Sequence, residues 1–550
     1  MSLVTSLFPA SPWALGALLI SSAIALKFLL IGRREKFLPP GPPTKPLLGN
    51  ILEFPTQVAH FKYTEWARKY GDVISLKIAS GTIIVLTSVQ SIREIFEKHN
   101  AITADRPPHE LTEQLTGGNH ILFIHYGPTW KILRRTSYEM LSPYAVSLTL
   151  PIQVAESTQL MFDFLQDPTD WYDHYSRYAL SVIMSVVHGQ RCPRYATPRA
   201  QNLIINLKTF SQLVRPGETP PLDLIPALKY VPERFASWKT TLKNLRKAQR
   251  EYYGGLMEET KKRMERGDGN GCFMQKVLER QEEFKLTDEM ALYMGAAMLE
   301  AGSDTSASYL QNATQLLIMH PKVQEKAKEE LDRVVGPDRM PQPSDIKNLP
   351  YVQAVIKEVH RIRPVVTTGV PHVANADIKY GGHTVPKDSI IFANIWGVYN
   401  DENLFSNPSE FNPDRYLENP YGLKKEHGSS SKDWGLLDDM DFGFGRRKCP
   451  GIHIAKNSIS LNVSRLLWGF DLSKAKREDG TEIELDFHDL EPTVTSTLRP
   501  FKCSIKPRSE RHAAVIRREF HEATAAFMPF EQELTGTDKE YVRRVREDLI

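Results

Sequence analysis

One stretch constrains this chain more than any other: Phe442-Gly443-Phe444-Gly445-Arg446-Arg447-Lys448-Cys449-Pro450-Gly451. It sets a single cysteine between glycines, with three basic residues just before it. Nearby cations and free backbone N–H groups lower a thiol pKa, so the setting favours a thiolate. Glycines turn the backbone sharply and let it approach a large flat ligand. After Gly451 the chain becomes apolar and helical over Ile452 to Trp468. Cys449 then stands just before a helix N-terminus, where the dipole also favours an anion. The competing reading is a buried structural cysteine in a glycine turn.

The rest of the composition narrows the setting. Charge is nearly balanced over the 550 residues, with 69 Lys+Arg against 66 Asp+Glu, so nothing points to nucleic acid. The four cysteines, Cys192, Cys272, Cys449 and Cys503, are too far apart for a zinc pattern or a disulfide framework. That fits a reducing compartment.

Trp13 to Ile31 is the most apolar stretch and has the length a bilayer needs. No charged side chain precedes it, and Arg33, Arg34 and Lys36 follow. Positive charge stays cytoplasmic, so an uncleaved anchor over 1–32 would leave the rest of the chain cytosolic. A secretory signal would carry its basic residues ahead of a shorter core. Pro39-Pro40-Gly41-Pro42-Pro43 follows, inside a basic, proline-rich hinge over 33–45. Prolines this dense predict a short stiff spacer between membrane and globule.

The pattern beyond the hinge is mainly helical with short strands. Phe61 to Tyr70 reads as a helix, Val73 to Ile78 with Thr82 to Leu86 as a hairpin, and 105–127 as irregular. Trp130 and Arg134 stand four apart on a predicted helix and share a face. A long apolar helix spans Thr287 to Met319, and inside it lies Ala301-Gly302-Ser303-Asp304-Thr305-Ser306. Glycine, an acid and hydroxyls are poor choices for a buried helix interior, and a local rule broken there marks a site. A helix kink at Gly/Ser is the bland alternative. Glu358 and Arg361 are three apart on a helix that begins near Pro350, and Phe411-Asn412-Pro413-Asp414-Arg415-Tyr416 follows. Ile378 to Tyr380, His383 to Val385 and Ser389 to Ala393 read as short strands. The domain is expected over 46–507, ahead of a charged tail over 508–550 with a short solvated helix after Thr537.

These motifs together resemble the cytochrome P-450 superfamily, the heme-thiolate monooxygenases. The cysteine loop matches the pattern Phe-x-x-Gly-x-Arg-x-Cys-x-Gly through Phe442, Gly445, Arg447, Cys449 and Gly451. Trp130 with Arg134, the Gly302 to Thr305 motif, Glu358 with Arg361, and Arg415 follow in family order across residues 34 to 507. Details are similar to fungal microsomal members of the O-methylsterigmatocystin oxidoreductase-like group. The resemblance implies a P-450 fold, mainly α with small sheets, behind one N-terminal transmembrane helix. It implies heme b (iron-protoporphyrin IX) ligated by the Cys449 thiolate, with Trp130, Arg134, His372 and Arg447 around its propionates and Phe442 and Gly451 lining the loop. Gly302 would leave room for oxygen, Thr305 would hydrogen-bond towards it, and Asp304 would supply protons. Glu358, Arg361 and Arg415 would form a buried structural triad.

The implied activity is insertion of one atom of dioxygen into a hydrophobic small molecule, such as a terpenoid, polyketide or aromatic compound, in secondary metabolism or xenobiotic oxidation. Pocket residues would come from 105–125, 208–222, Met294, Met298, Val365 to Val370 and 493–497. No dinucleotide fingerprint or flavin domain is present, so electrons would come from a separate NADPH-cytochrome P-450 reductase, with a cytochrome b-type donor as a second source. Lys131, Arg135, Arg446 and Lys448 would give it a basic face. The implied location is the endoplasmic reticulum membrane, with membrane lipid as a further partner. Two other readings share these residues: a heme-thiolate isomerase or dehydratase needing no reductase, and a heme-binding sensor. The Asp304–Thr305 pair weighs against the first, and the relay together with the anchor against the second.

Overall fold

The computed structural model describes residues 16, 21–22, 30–215, 218–220, 222–223, 226–491, 493 and 495–547. The predicted membrane-spanning stretch Trp13 to Ile31 lies almost wholly outside the described residues. Among the described residues no helix is long and apolar enough to cross a membrane. The predicted break at Arg215 to Pro221 is likewise only partly described.

The chain divides into two compact units, one of Met1–Asp105 with Pro371–Asn394, the other of Arg106–Val370 with Ile395–Ile550. The residues of the domain expected over 46–507 fall in both units, each built from separated segments. The first carries a four-stranded sheet of order β1-β2-β6-β3, formed by Val73–Ile78, Gly81–Leu86, Ile390–Ala393 and His372–Val373. β1 and β2 are the expected hairpin, paired from Val73↔Leu86 to Ile78↔Gly81. β2 then runs parallel to β6, with Ile84 opposite Ile391. β-Branched and aliphatic residues suit the buried face of such a sheet, and Ile74, Leu76, Ile84 and Val85 are fully buried. A two-stranded ribbon of Ile378–Tyr380 (β4) and His383–Val385 (β5) completes the strands of this unit.

The proline-rich hinge differs from expectation. It is not a free spacer but lies along β1. Ser75 donates its hydroxyl to the Pro39 carbonyl at 2.6 Å. Arg34 reaches back to Ser75 Oγ at 2.9 Å and to the carbonyls of Gly41 and Pro42 at 3.0 and 2.8 Å. Gly41 is required there, because a Cβ would stand 2.3 Å from the Ser75 carbonyl oxygen. Prolines cannot donate to a ladder, but their carbonyls can accept, which is how this edge is used.

The second unit is helical. Its axis is the central helix Asp288–Met319, begun by Thr287, whose hydroxyl accepts from Met290 N–H, and ended at His320 before Pro321. It packs along the helix Trp171–His188. Gly295 and Gly302, seven apart and so on one face, are the close points. A Cβ on Gly302 would lie 2.6 Å from Ile183, and one on Gly295 3.2 Å from His188. The missing side chain of Gly302, expected to make room for oxygen, also lets two helices approach. The region 105–127, expected to be irregular, holds a short helix Glu110–Thr116 capped by His109. Its flanking prolines and glycines hide the helical pattern. The strands Phe470–Lys474 (β7) and Cys503–Pro507 (β8) form an antiparallel pair.

In the tail, 508–550, the solvated helix expected after Thr537 is present as Gly536–Glu547, largely exposed but with Asp538 buried. The residues before it were expected to be no more than charged tail. They belong to the second unit, and the helix Glu510–Glu522 buries Ala513, Val515, Ile516 and Phe520. Phe520 stacks on Phe162 at 4.2 Å. Arg191 sits 3.6 Å over the Phe527 ring and donates to Glu531 at 2.7 Å. The same guanidinium bonds to fully buried Glu156 at 2.9 Å, and Arg177 reaches Glu156 at 2.6 Å. Arg263 pairs with Glu533 at 3.1 Å. Buried charges are tolerated only when paired, so the tail completes a network that the body alone leaves short.

Candidate active site

The cysteine loop closes on itself: Cys449 N–H donates to the Phe442 carbonyl at 2.7 Å. Gly443 and Gly445 take positive φ values of 80° and 50°, which side chains rarely adopt. Gly451 ends the loop at the start of the helix Ile452–Gly469, and its backbone N–H faces the sulfur. Burial pushes the Cys449 thiol up, while the Gly451 N–H, Arg134 and Lys448 pull it down. A coordinating metal would deprotonate such a thiol outright.

Trp130 and Arg134 lie on the helix Pro128–Met140, which opens on a proline at its first position. Both face the cysteine loop. Arg447 stacks over the buried Trp130 ring at 4.6 Å and donates to the carbonyls of Ile121 and Ile124 at 3.0 and 2.7 Å. Arg134 is half-buried and makes no hydrogen bond or ion pair among the described residues. Burial lowers its pKa, and the nearby Cys449 acts against that. A withdrawn guanidinium without an anion, beside a thiol that needs neutralising, fits a group that brings both carboxylates and a metal cation. His372 belongs to the first unit, on β3, where its ring meets the Thr103 carbonyl at 2.6 Å and packs on Phe96 at 4.5 Å.

On the central helix, Ala301 and Asp304 have accessible surface in mid-helix although Ser303 and Ala307 are buried, which marks a concavity on this turn whose walls withdraw Asp304 from bulk water. Thr305 donates its hydroxyl to the Ala301 carbonyl at 2.9 Å. Asp304 accepts from Thr495 at 3.0 Å. Burial raises its carboxyl pKa, and the Thr495 hydrogen bond works against the rise. One turn earlier, Glu300 holds His120 at 3.0 Å and Tyr253 at 2.6 Å. His120 in turn stacks near Phe210, which meets Phe123 edge-on at 5.8 Å.

Glu358 and Arg361 are fully buried on the helix Pro350–Ile362. They form two parallel bonds of 2.8 Å, and Arg415 adds a third to the same carboxylate at 3.2 Å. Arg361 also donates to the carbonyls of Tyr399, Pro408 and Glu410 at 2.8, 2.7 and 3.1 Å. The link from this helix to the cysteine loop comes from other residues. His360 stands 2.6 Å from Asp441, and Lys357 3.0 Å from Asp438.

The structure thus brings Trp130, Arg134, Arg447 and Cys449 together, sets Asp304 and Thr305 on one turn, and joins Glu358, Arg361 and Arg415. Sequence reasoning missed His360–Asp441, His120–Glu300 and the partnership of Thr495 with Asp304. Each joins segments far apart in the chain, and only the run of threonines at 493–497 left a visible trace.

A thiol held in a glycine loop, an orphaned arginine aimed at it, and an acid–alcohol pair on a central helix define a heme-thiolate oxygenase site. The family model for Cytochrome P450 matches residues 39–493. A cytochrome P450 monooxygenase of Armillaria gallica is 39% identical over 95% of this chain and 99% of that relative. One from Arthrobotrys oligospora is 37% identical over 92% and 96%. A zebrafish cytochrome P450 solved with progesterone superposes with a TM-score of 0.67 at 26% identity, covering 82% of this chain and 99% of its own. The chain belongs to the cytochrome P450 family. It is a monooxygenase with a thiolate-ligated heme, and works on a hydrophobic substrate with dioxygen and a redox partner.

Proposed function

We propose that Cys449 would ligate the heme iron through its thiolate, that Arg134, Trp130 and Arg447 would hold the heme carboxylates, and that Asp304 and Thr305 would supply protons for the oxygen chemistry. The observation that carries this is Arg134, half-buried beside Cys449 with no anion among the described residues. When bound, the heme supplies the oxygen chemistry, and the thiolate favours O–O cleavage. The chain's own residues bind, orient and protonate. Asp304 holds a proton that Thr305 can pass on once its hydroxyl leaves the Ala301 carbonyl. Phe442 and Gly451 shape the loop around the sulfur, and the resemblance alone adds His372 to the propionate ligands.

The proposed substrate is a hydrophobic small molecule of fungal secondary metabolism, a terpenoid, polyketide or aromatic compound. Supporting this, the roof around His120, Phe123 and Phe210 is aromatic, and Met294 and Met298 line the central helix without charge. The proposed electron donor is a separate NADPH-cytochrome P-450 reductase, with a cytochrome b-type protein as a second source. Lys131 and Arg446 flank the Tyr126 ring at 5.3 and 5.4 Å, whereas Lys448 is paired with Asp439 at 2.8 Å and Arg135 with Glu139 at 3.1 Å. All four basic side chains are the proposed docking charges. Trp13 to Ile31 would anchor the chain in the endoplasmic reticulum membrane, with lipid as its partner.

The test is optical. The reduced protein with carbon monoxide should show the thiolate-heme band, and Cys449→His should abolish it while leaving heme bound. A band unchanged by Cys449→His would remove Cys449 as ligand. Titrating ferric protein with terpenoids, flat aromatics and a fatty acid should give a saturable high-spin shift with one class.

A further inference from the structure

We propose that Thr495 is the proton port of Asp304: its hydroxyl holds the carboxylate in place and connects it to solvent through Thr493. The proposal rests on the proton-delivery role of Asp304 argued above and names what refills it.

Asp304 has no cationic partner among the described residues; its carboxylate accepts a hydrogen bond from Thr495 Oγ1 at 3.0 Å. The hydroxyls continue from there. Thr495 meets Thr497 at 2.8 Å, and Thr497 meets buried Ser308 at 2.8 Å. Ser308 is one helical turn beyond Asp304, so the chain of hydroxyls leaves the central helix and returns to it. At the other end Thr493 is exposed, with its Oγ1 shared between the Thr495 carbonyl at 2.7 Å and the Thr495 hydroxyl at 3.3 Å. The tip is held independently. Asn312 donates to the Ser496 carbonyl at 2.8 Å, Ser496 N–H donates to Val365 at 2.7 Å, and Arg363 braces Asn312 and Gln315 from behind. Thr495 is thus placed by the bonds of its neighbour Ser496, whatever its own hydroxyl does.

A hydroxyl donates one proton and accepts others, so it can pass a proton along without a net charge of its own. With Asp304 ionised, Thr495 gives its Oγ1 proton to Oδ2 of Asp304 and takes one from Thr493, which solvent water restores. Only O–H bonds break and form, and the net change is one proton moved from solvent to Asp304. A lysine or arginine in the place of Thr495 would hold Asp304 as a carboxylate. The groups that feel the Asp304 charge are phenols, Tyr172 and Tyr195, both pushed up by burial and so neutral. They do not compete for the proton.

Thr495→Val removes the hydroxyl at nearly constant volume, and Thr495→Ser keeps it. In the reductase-supplied holoenzyme, Thr495→Val should cut product per NADPH about ten-fold and divert electrons to peroxide, short of the hundred-fold or more that losing a positioned donor can cost. Thr495→Ser should restore coupling. A readout outside turnover is the infrared carboxyl stretch of the ferric resting enzyme, assigned by its loss in Asp304→Asn. It should shift in Thr495→Val and stay in Thr495→Ser. Thr493→Val, at an exposed position, should show a smaller loss of coupling, and serves if Thr495→Val does not retain heme. Unchanged coupling and an unmoved stretch in Thr495→Val, or in Thr493→Val where it stands in, would overturn the proposal. If Asp304→Asn is itself fully coupled, the role of Asp304 falls instead.

Discussion

Arg361 and Arg134 are both withdrawn from water, yet they are treated in opposite ways. Arg361 spends its guanidinium on five acceptors: both oxygens of Glu358 and the carbonyls of Tyr399, Pro408 and Glu410. Arg134 makes no such bond among the described residues, and has Cys449 as its electrostatic neighbour. A buried charge with all its partners stabilises a fold locally and is silent in chemistry. A buried charge without them costs stability and is kept where a ligand will satisfy it. The same contrast separates Glu358, which accepts from two arginines and the Asn412 N–H, from Asp304, which is held by a single hydroxyl.

The largest test of this contrast is the pair Arg361→Ala and Arg134→Ala. Breaking a buried pair costs about 3–5 kcal/mol, so Arg361→Ala should yield little folded protein. Arg134→Ala should stay within about 1 kcal/mol of wild type in chemical unfolding of the heme-stripped protein, while losing heme faster to an acceptor. Equal destabilisation by the two would erase the distinction. Next comes truncation after Pro507. It strips Glu531 and Phe527 from Arg191 and leaves buried charge unpaired, so a loss comparable to that of Arg361→Ala, again about 3–5 kcal/mol, should appear as a lower melting temperature. A truncated protein of wild-type stability would show the tail to be dispensable.

Asp304→Asn should have a smaller effect of opposite sign. Burial raises the folded-state pKa of Asp304 above its usual 3.8. At pH below 3.8 both states are protonated and the residue costs nothing. As pH rises past that value the unfolded state releases its proton first, so the wild type loses stability until the folded carboxyl ionises as well. The melting temperature of Asp304→Asn should therefore exceed that of the wild type at neutral pH, and the gap should close in acid. A gap independent of pH would mean the carboxyl is not raised. Smallest in stability is Lys131→Glu with Arg446→Glu, which should leave melting unchanged but slow heme reduction by reductase at low salt, with the deficit shrinking as salt rises. Unchanged reduction at low salt would remove these charges from the docking face.

The sequence carried more of the secondary structure than of the site. The hairpin Val73 to Leu86 and the central helix were legible because alternation and helical period are local properties. The β7–β8 pair was not, since its strands are separated by nearly thirty residues of loop. The packing of the tail before Gly536 was missed because its charged residues look solvated one by one. Arg191, Arg263 and Arg194 meet Glu531, Glu533 and Asp538 only after hundreds of intervening residues have folded. At Gly302 the sequence showed a glycine in a motif, but not that Ile183 packs against it.

By itself the sequence determined the chemistry. A cysteine in its glycine loop, an acid beside an alcohol in a helix, and a Trp-x-x-x-Arg face are short patterns whose meaning is carried by covalent spacing. Only the tertiary structure decided which charges are structural and which are available. Whether an arginine is saturated like Arg361 or left waiting like Arg134 depends on carbonyls and carboxylates from distant segments, and burial turns that difference into kilocalories. For the same reason the proline hinge, the tail and the threonine tip acquired their roles only when packing supplied partners.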